Sequence, residues 1–552
     1  MAQLDYNNML VAELKQELES IGLPISGKKS ELIERLMAHS REPLMISIEA
    51  DLIDEESRYD MIISRMKTQV IGPLNIGAVI AILLSVLMIS TVLIIQPSWL
   101  GFGDDYDYQL IDFDQSQTKI YAEELVALGH PDWEGRMSGT VEEANTSLYI
   151  LDQLSEMGYE AQSYSYEVPM HHVNSEPSFR LCVQGSLGFS PCDGPIGQVG
   201  GSQVTIFQHR VDYVIQGLSG QSQYMFDEDI PVTDLGNGTD EALWQSATGT
   251  LGYVRMDESR VSNTEMYSYA AQNDLAGIIS VNKIINCGQI EGNDCVPIFK
   301  GTNYDALVSA NGGTIPTEIP FIAMSRDAGD IFEALVINAT EPASIELIID
   351  VTNDEERTIY VPCGIIEGRS SEVIIAGAHH DTVYQGEGAV DDTSGVTTVL
   401  EMARQLAEIV NNTGMPERTI QFCTWGGEEE GLWGSRAYVA EMQSSLRNNL
   451  RLYLNFDMNH VDADFQNRGN SLTLFTNNED DYGHIKRIAN LYTEERNEIA
   501  NKYDIRFSLL DGAKGESNEM PCNSDYCPFI YELDGKVGRA VSCYGGGAWE
   551  YH

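Results

Sequence analysis

The stretch VIIAGAHHDTVYQGEGAVDDTSG, Val373 to Gly395, constrains this chain more than any other. Val373, Ile374 and Ile375 open an apolar, β-branched run that ends in His379, His380 and Asp381, and ten residues after Asp381 comes Asp391, followed by Asp392 and a helical pattern. The run is short and β-rich, so it predicts a buried strand. Its C-terminal end delivers imidazole and carboxylate groups, a mixture suited to a divalent metal.

The surrounding text has the period of an α/β domain. From Thr358 onward EVIIAGA, the helix GVTTVLEMARQLAEIV, TIQFCTW, a helix around GSRAYVAEMQ, RLYLNFDM, LTLFT and a helix near DYGHIKRIANLY follow one another. Val396, Val399, Leu400, Ala403, Leu406 and Ala407 form one apolar stripe on the first of these helices. Such alternation predicts a layered α/β fold with a largely parallel sheet, whose sites gather at the carboxyl ends of strands. Upstream, GRMSGTVEEANTSLYILDQLSEMGYE predicts a helix with Ala144, Leu148, Leu151 and Leu154 on its inner face. Between 195 and 346 the pattern changes to short β-like runs, TLGYVRM, GIISV and IPFIAMS, around the helix-like TEMYSYAAQNDLAG. No cluster of catalytic groups falls there, so this part reads as a lid or substrate-shaping insert.

The N-terminal fifth is different. Leu74 to Ile95 is 22 residues without a charge inside an uncharged window from Thr68 to Gly103, enough to cross a hydrocarbon core of about 30 Å. Arg58, Arg65 and Lys67 precede it, whereas residues 96–115 carry five aspartates and no Lys or Arg. The expectation is a single-pass cell-membrane protein with a cytoplasmic N-terminus and the rest of the chain extracytoplasmic. All nine cysteines follow the segment. Cys182 with Cys192, Cys287 with Cys295 and Cys522 with Cys527 are spaced for short-loop disulfides. Cys363, Cys423 and Cys543 remain, leaving at least one free thiol. Residues 98–117, rich in Gly and Asp, read as a tether.

Ahead of the apolar segment, Leu10, Leu14 and Leu18 share one helical face, GLPISGKK breaks the pattern, and Leu32, Ile33 and Leu36 resume it after a Ser30 cap. The string VAELKQELESIGLPISGKKSELIERL resembles the SAP domain over residues 5–40, a helix-extension-helix module associated with DNA. Residues 1–50 carry 5 basic and 8 acidic residues, and the whole chain a net charge of -51. Phosphate contacts need Lys and Arg, so this balance argues against broad nucleic-acid binding. Docking of nucleic acid at the head, or of a protein, stays open.

Four strand ends carry the chemistry: His379 and Asp381 leading to Asp391 and Asp392; Glu428, Glu429 and Glu430 after TIQFCTW; Asp457 after LYLNF; and Tyr551 with His552 at the chain terminus. Singly each is an ordinary acidic loop, and Asp392 with Ser394 suits a helix cap. Together, two histidines and three carboxylates at one sheet edge exceed one tetrahedral site and suit two ions sharing a bridging carboxylate.

AHHDTV, GAVDDTSG, WGGEEEGLWGS, LNFDM and a late YH, in that order, resemble the di-zinc exopeptidases that include secreted bacterial aminopeptidases, vacuolar aminopeptidase Y and glutamate carboxypeptidase II. The resemblance spans about 118–552. It implies a phosphorylase/hydrolase-like α/β sheet with helices on both faces, divided as an N-terminal part over 118–194, a protease-associated insert over 195–346 and a catalytic core over 355–552. It also implies two Zn2+ per chain and peptide substrates. His379 and Asp457 would hold one zinc, Glu429 and His552 the other, and Asp391 both. Asp381 would orient His379, Glu428 would be the general base and Tyr551 would stabilise the oxyanion. An aminopeptidase is the leading expectation, with a carboxypeptidase or a non-catalytic receptor on the same fold as alternatives. Relatives continue past the final histidine, so the chain reads as truncated at its C-terminus.

Overall fold

The structure is a computed structural model that describes residues 110–183, 203–228, 230–256, 261–281, 319–339, 343–459 and 471–545, short pieces at 69–71, 74–75, 304–310 and 312–313, and single residues within 15–33 and at 297 and 299. The chain divides into two units, Met1–Asp107 and Tyr108–His552.

In the first unit Lys15, Leu18, Lys29, Leu32 and Ile33 are helical, and Leu18 and Leu32 are fully buried. These are positions the leucine spacing marks as inward. Gln69–Ile71 and Leu74–Asn75 pair as a two-stranded antiparallel sheet. The helix expected over 74–95 therefore does not begin at Leu74, and from residue 76 it falls outside the described residues. Among the described residues no helix is long and apolar enough to cross a membrane.

The second unit is built on an eight-stranded mixed sheet. Its strands are β1 (Glu160–Val173), β2 (Val351–Ile366), β3 (Val373–His379), β4 (Thr419–Trp425), β5 (Leu450–Phe456), β6 (Ser471–Thr476), β7 (Asp504–Leu509) and β8 (Ala540–Gly545). The spatial order is β7-β6-β8-β5-β3-β4-β2-β1. The four central strands β8, β5, β3 and β4 are parallel, while β2 meets β4, β1 meets β2, and β6 meets β8 antiparallel. The sheet is thus mixed rather than largely parallel, with the parallel part at the centre, where both faces are covered.

On one face lie α1 (Gln115–Val126), α2 (Val141–Glu156) and α3 (Thr393–Thr413). Tyr121, Leu125, Ile150, Leu154, Val396, Val399, Leu400 and Ala403 pack there on Ala376, Ala378 and Phe422 of the sheet. The α3 stripe is the one its periodicity predicts. On α2 the prediction is shifted: Leu148 is 58% exposed and the buried side is Glu143, Thr146, Ser147, Ile150 and Leu154. Apolar spacing misses this because half of the buried face is polar, and Glu143 is buried for a reason given below. Residues read as the end of a tether are also anchored: α1 starts at Gln115 with Asp114 as its cap, the Asp114 N–H donates to Glu401 at 2.9 Å, and Asp112 pairs with Arg496 at 2.7 Å.

The opposite face is aromatic. Trp425, Tyr438, Tyr453, Tyr526, Phe529 and Ile530 surround Ile375, with α4 (Trp433–Glu441) and α5 (Tyr526–Tyr531) supplying the cover. Cys363 and Cys423 are register partners on β2 and β4 and form a disulfide, with Cα atoms 4.1 Å apart. Cys522 is bonded to Cys527, Cys182 is also disulfide-bonded, and among the described residues Cys543 is a buried free thiol. The Cys363–Cys423 pair escapes sequence reading because its members lie 60 residues apart.

A second body hangs from the long antiparallel pair β1/β2. Gln203–Phe207, Ser178–Val183, Ala343–Ile349 and Ser222–Tyr224 form a four-stranded sheet, and Tyr213–Ile215, Phe321–Met324, Gly277–Val281, Leu251–Arg255 and Val232–Asp234 a five-stranded one. Phe179, Leu181, Phe207, Ile279, Ile322 and Leu347 join them in one core. This body begins at Ser178, ahead of the boundary that composition suggests at 195.

Gly377, at the centre of β3, has no room for a side chain: a Cβ would lie 2.6 Å from both Trp425 Nε1 and Tyr453 Oη. Gly377→Ala is expected to lower stability by about 1–3 kcal/mol through overpacking. Urea unfolding followed by fluorescence would show a lower midpoint with an unchanged slope.

Candidate metal centre

β5, β3 and β4 run parallel side by side, so His379, the turn after Trp425 and Asp457 emerge on one edge. His379 is buried at its core. Its Nε2 is 2.9 Å from Asp391 Oδ1, 3.9 Å from Asp457 Oδ1 and 4.0 Å from Glu428 Oε2. Ligand atoms of His379, Asp391 and Asp457 all lie within 4.8 Å of one another. The other ring nitrogen, Nδ1, faces Asp381, 3.1 Å from its carbonyl and 3.4 Å from Oδ1. Donation from Nδ1 to Asp381 would leave the Nε2 lone pair aimed at the carboxylates.

Asp381 also reaches sideways. Its Oδ2 accepts the Glu429 N–H at 3.2 Å, tying the β3 end to the Glu428–Glu430 turn. Asp392 ties β3 to β5: Oδ1 accepts from Gly395 (2.8 Å) and Met458 (3.2 Å), and Oδ2 from the His379 N–H (3.3 Å). It caps α3, as its sequence position suggests, and additionally joins the backbones of two site-bearing strands.

Electrostatics define what the cluster lacks. Burial raises Asp457 to about 6, against the pull of His379 and with Asp391 adding repulsion. Burial likewise raises Asp525 to about 7. Glu428 and Asp392 are pushed well above the usual carboxylate range, first by burial and then by neighbouring acids. Burial would lower His379, yet Glu428, Asp381 and Asp391 outweigh it and hold the imidazole well above its ordinary value. Buried acids that repel one another around one imidazole form a donor set suited to hard or borderline divalent cations. Asp391, Asp457 and His379 fit that role.

Several supporting residues carry no sequence signal. Asp457 Oδ2 accepts the Ser524 hydroxyl at 2.5 Å. Ser524 accepts from Asn455 Nδ2 (2.8 Å), whose Oδ1 accepts from Tyr453 (3.1 Å), which accepts from Trp425 Nε1 (2.7 Å). An indole N–H only donates, so this buried chain has one direction and ends on the carboxylate. Arg136 is fully buried and donates to the carbonyls of His380 (3.3 Å) and Glu387 (2.8 Å) and to Thr393 Oγ1 (2.8 Å). Ser138 Oγ accepts the Gly427 N–H at 2.6 Å, and Glu143 meets His380 Nε2 at 2.9 Å. The last contact explains the polar inner face of α2 and gives His380 a structural partner. Pairs separated by 237 to 289 residues leave no local pattern to read. Tyr551 and His552 lie outside the described residues.

The arrangement is a mixed α/β sheet with an acid-rich, histidine-centred cluster at its carboxyl edge. A zinc aminopeptidase from Bacillus subtilis superimposes with a TM-score of 0.53 at 17% identity, over 80% of this chain and 88% of that one, which shows the shared fold. Residues 363–531 match Peptidase family M28 and residues 5–41 match the SAP domain. An aminopeptidase of Pseudomonas aeruginosa is 29% identical over 212 residues, 38% of this chain and 35% of that protein. Mouse aminopeptidase NAALADL1 is 37% identical over 125 residues, 22% of this chain and 16% of that protein. The matched region spans about a third or less of the length of these relatives.

Raised carboxylates favour the folded state only while protonated. Asp457 and Asp525 contribute fully below their unfolded values near 4, and the contribution is lost as pH rises through about 6 and about 7. Metal-stripped protein is therefore expected to lose stability between pH 4 and 7, on the order of 3 kcal/mol for a two-unit shift. Thermal melts with and without added zinc would check this, and the loss should vanish with metal.

Proposed function

We propose that the chain is an extracytoplasmic, metal-dependent exopeptidase that removes N-terminal residues from peptides. The observation that carries this reading is the meeting of His379, Asp391, Asp457 and Glu428 within 4.0 Å of one imidazole nitrogen at a sheet edge. The M28 match and the aminopeptidase relatives support it.

His379 and Asp457 would hold one zinc ion, Glu429 and His552 a second, and Asp391 both. Zinc bound there would polarise the scissile carbonyl and acidify the attacking water. Glu428, 13% exposed, takes the proton of that water and returns it to the leaving amine. Asp381 holds His379 in the tautomer whose Nε2 faces the cluster. Tyr551 would donate to the oxyanion. The preference for a free amino terminus rests on charge. Arg136, the buried cation beside the cluster, has its guanidinium engaged by His380, Glu387 and Thr393 and is not free to receive a substrate carboxylate. We read the body over 178–349 as a protease-associated insert.

The uncharged segment after Asn75, residues 76–95, we take as one membrane span with the N-terminus inside. The uncharged segment and the disulfides Cys363–Cys423 and Cys522–Cys527 beyond it support that placement. External protease on sealed cells should remove an epitope fused after residue 545 and spare one before residue 60; the reverse would overturn the orientation.

Glu428→Gln is expected to keep its zinc and lose at least about 100-fold in kcat on aminoacyl-peptide substrates, with N-blocked peptides uncleaved by either protein. Metal analysis alongside the peptide assay tests this. Undiminished turnover by the variant rules out Glu428 as the base, and wild-type activity insensitive to chelator rules out the metallopeptidase.

A further inference from the structure

The loop between Asp381 and Asp391 carries the groups at the centre of the proposed metal site, yet its middle, VYQGEG, contains none of them. Gly386 and Gly388, the latter with φ +61°, make this a backbone with little stiffness of its own. What fixes it comes from outside the catalytic sheet. Tyr384 is 2% exposed, and with Val383 it belongs to the hydrophobic core of the insert, among Phe179, Phe207, Tyr213 and Ile215.

The contacts are specific. The Tyr384 oxygen accepts the N–H of Ile215, an insert strand residue, at 2.8 Å. Tyr384 and His209 Nε2 are 3.0 Å apart, and their rings stack at 5.5 Å. His209 Nδ1 lies 2.9 Å from Glu176 Oε1, and Glu176 Oε2 accepts Trp133 Nε1–H at 2.7 Å. A carboxylate only accepts, so Nδ1 carries the proton, Nε2 accepts, and the Tyr384 hydroxyl donates. Burial lowers the His209 pKa against the pull of Glu176, which agrees with a neutral ring. The next residue is held as well, because Arg210 Nε donates to the Gln385 carbonyl at 3.2 Å while its guanidinium pairs with Glu134 at 2.6 Å. Gly135 closes the other side, since a Cβ there would come within 2.3 Å of the Val383 carbonyl oxygen.

We propose that the insert is a positioning element for the metal site, with His209, braced by Glu176 just ahead of the insert, and Ile215 gripping Tyr384 and thereby holding Asp381 and Asp391 in register. Tyr384 and His209 are positioning residues: they touch neither substrate nor metal and act through the loop. A tether of this kind makes the insert part of the site's preorganisation and not only a lid. The inference rests on the reading of His379, Asp391 and Asp457 as metal ligands.

The test is the zinc affinity of the full chain, measured by competition with a chromophoric chelator. Tyr384→Phe keeps the ring and removes the hydroxyl; His209→Ala removes the grip; His209→Gln keeps a polar atom close to the Nε2 position. Tyr267→Phe, a buried tyrosine in the part of the insert core that does not include the loop, is the control. Tyr384→Phe and His209→Ala are expected to lose roughly tenfold in zinc affinity, the lower end for groups supporting metal ligands. His209→Gln should recover most of that loss and Tyr267→Phe should match wild type. In turnover the same two variants should lower kcat with KM within about twofold, because the substrate contacts are untouched. Should Tyr384→Phe fail to fold, the His209 pair carries the same comparison. Zinc affinity within twofold of wild type for the folded grip variants would overturn the proposal, as would an equal loss in Tyr267→Phe. A wild type that binds zinc but cleaves no peptide defeats the exopeptidase reading and leaves this one standing; a wild type that binds no zinc defeats both.

Discussion

Mutual repulsion among buried carboxylates is the constraint on which the catalytic part of this molecule depends. Asp391, Asp457, Glu428 and Asp525 are brought together around His379 in surroundings that disfavour charge, and the raised pKa values of Asp457, Glu428 and Asp525 record the cost. A chain gains nothing in stability from such a cluster by itself. Its retention makes sense where a cation completes it, and the surrounding hydrogen bonds serve to hold the acids in place until one does. Asp392 gathers three backbone N–H groups from β3, α3 and the end of β5. The one-directional chain from Trp425 to Ser524 fixes Asp457 by the oxygen that faces away from His379.

Three segments far apart in the chain share this task. The central parallel strands present the side chains, because only parallel neighbours end on the same edge. Residues 136–143 thread beneath the edge, where Arg136, Ser138 and Glu143 satisfy carbonyls, an amide and His380. The insert, suspended from β1 and β2, grips the loop that joins Asp381 to Asp391. Arg136, Ser138, Glu143, His209 and Tyr384 are buried, so their hydrogen bonds count for more than they would in water and losing one leaves a group unpaired.

The amino-acid sequence by itself determined many of the elements and which side chains stand at the sheet edge. β-branched runs bounded by polar turns located β3, β4, β5 and β6, and a 3.6-residue apolar period located α3, because those patterns are local consequences of burying one face. Side chains at strand ends named His379, Asp381, Asp391, Glu428 and Asp457, since residue type and order within a strand-turn-helix are enough to mark an edge. Only the tertiary structure decided what those elements are next to. β8 inserts between β5 and β6, and Cys363 finds Cys423 across two strands. The inner face of α2 turns to Glu143 rather than to Leu148. Periodicity reports that a face is buried but not against what, and an ion pair or a tyrosine grip between residues more than a hundred positions apart leaves no spacing in the sequence. Those long-range polar contacts turn a row of acidic loops into one preorganised site, and they exist only once the chain is folded.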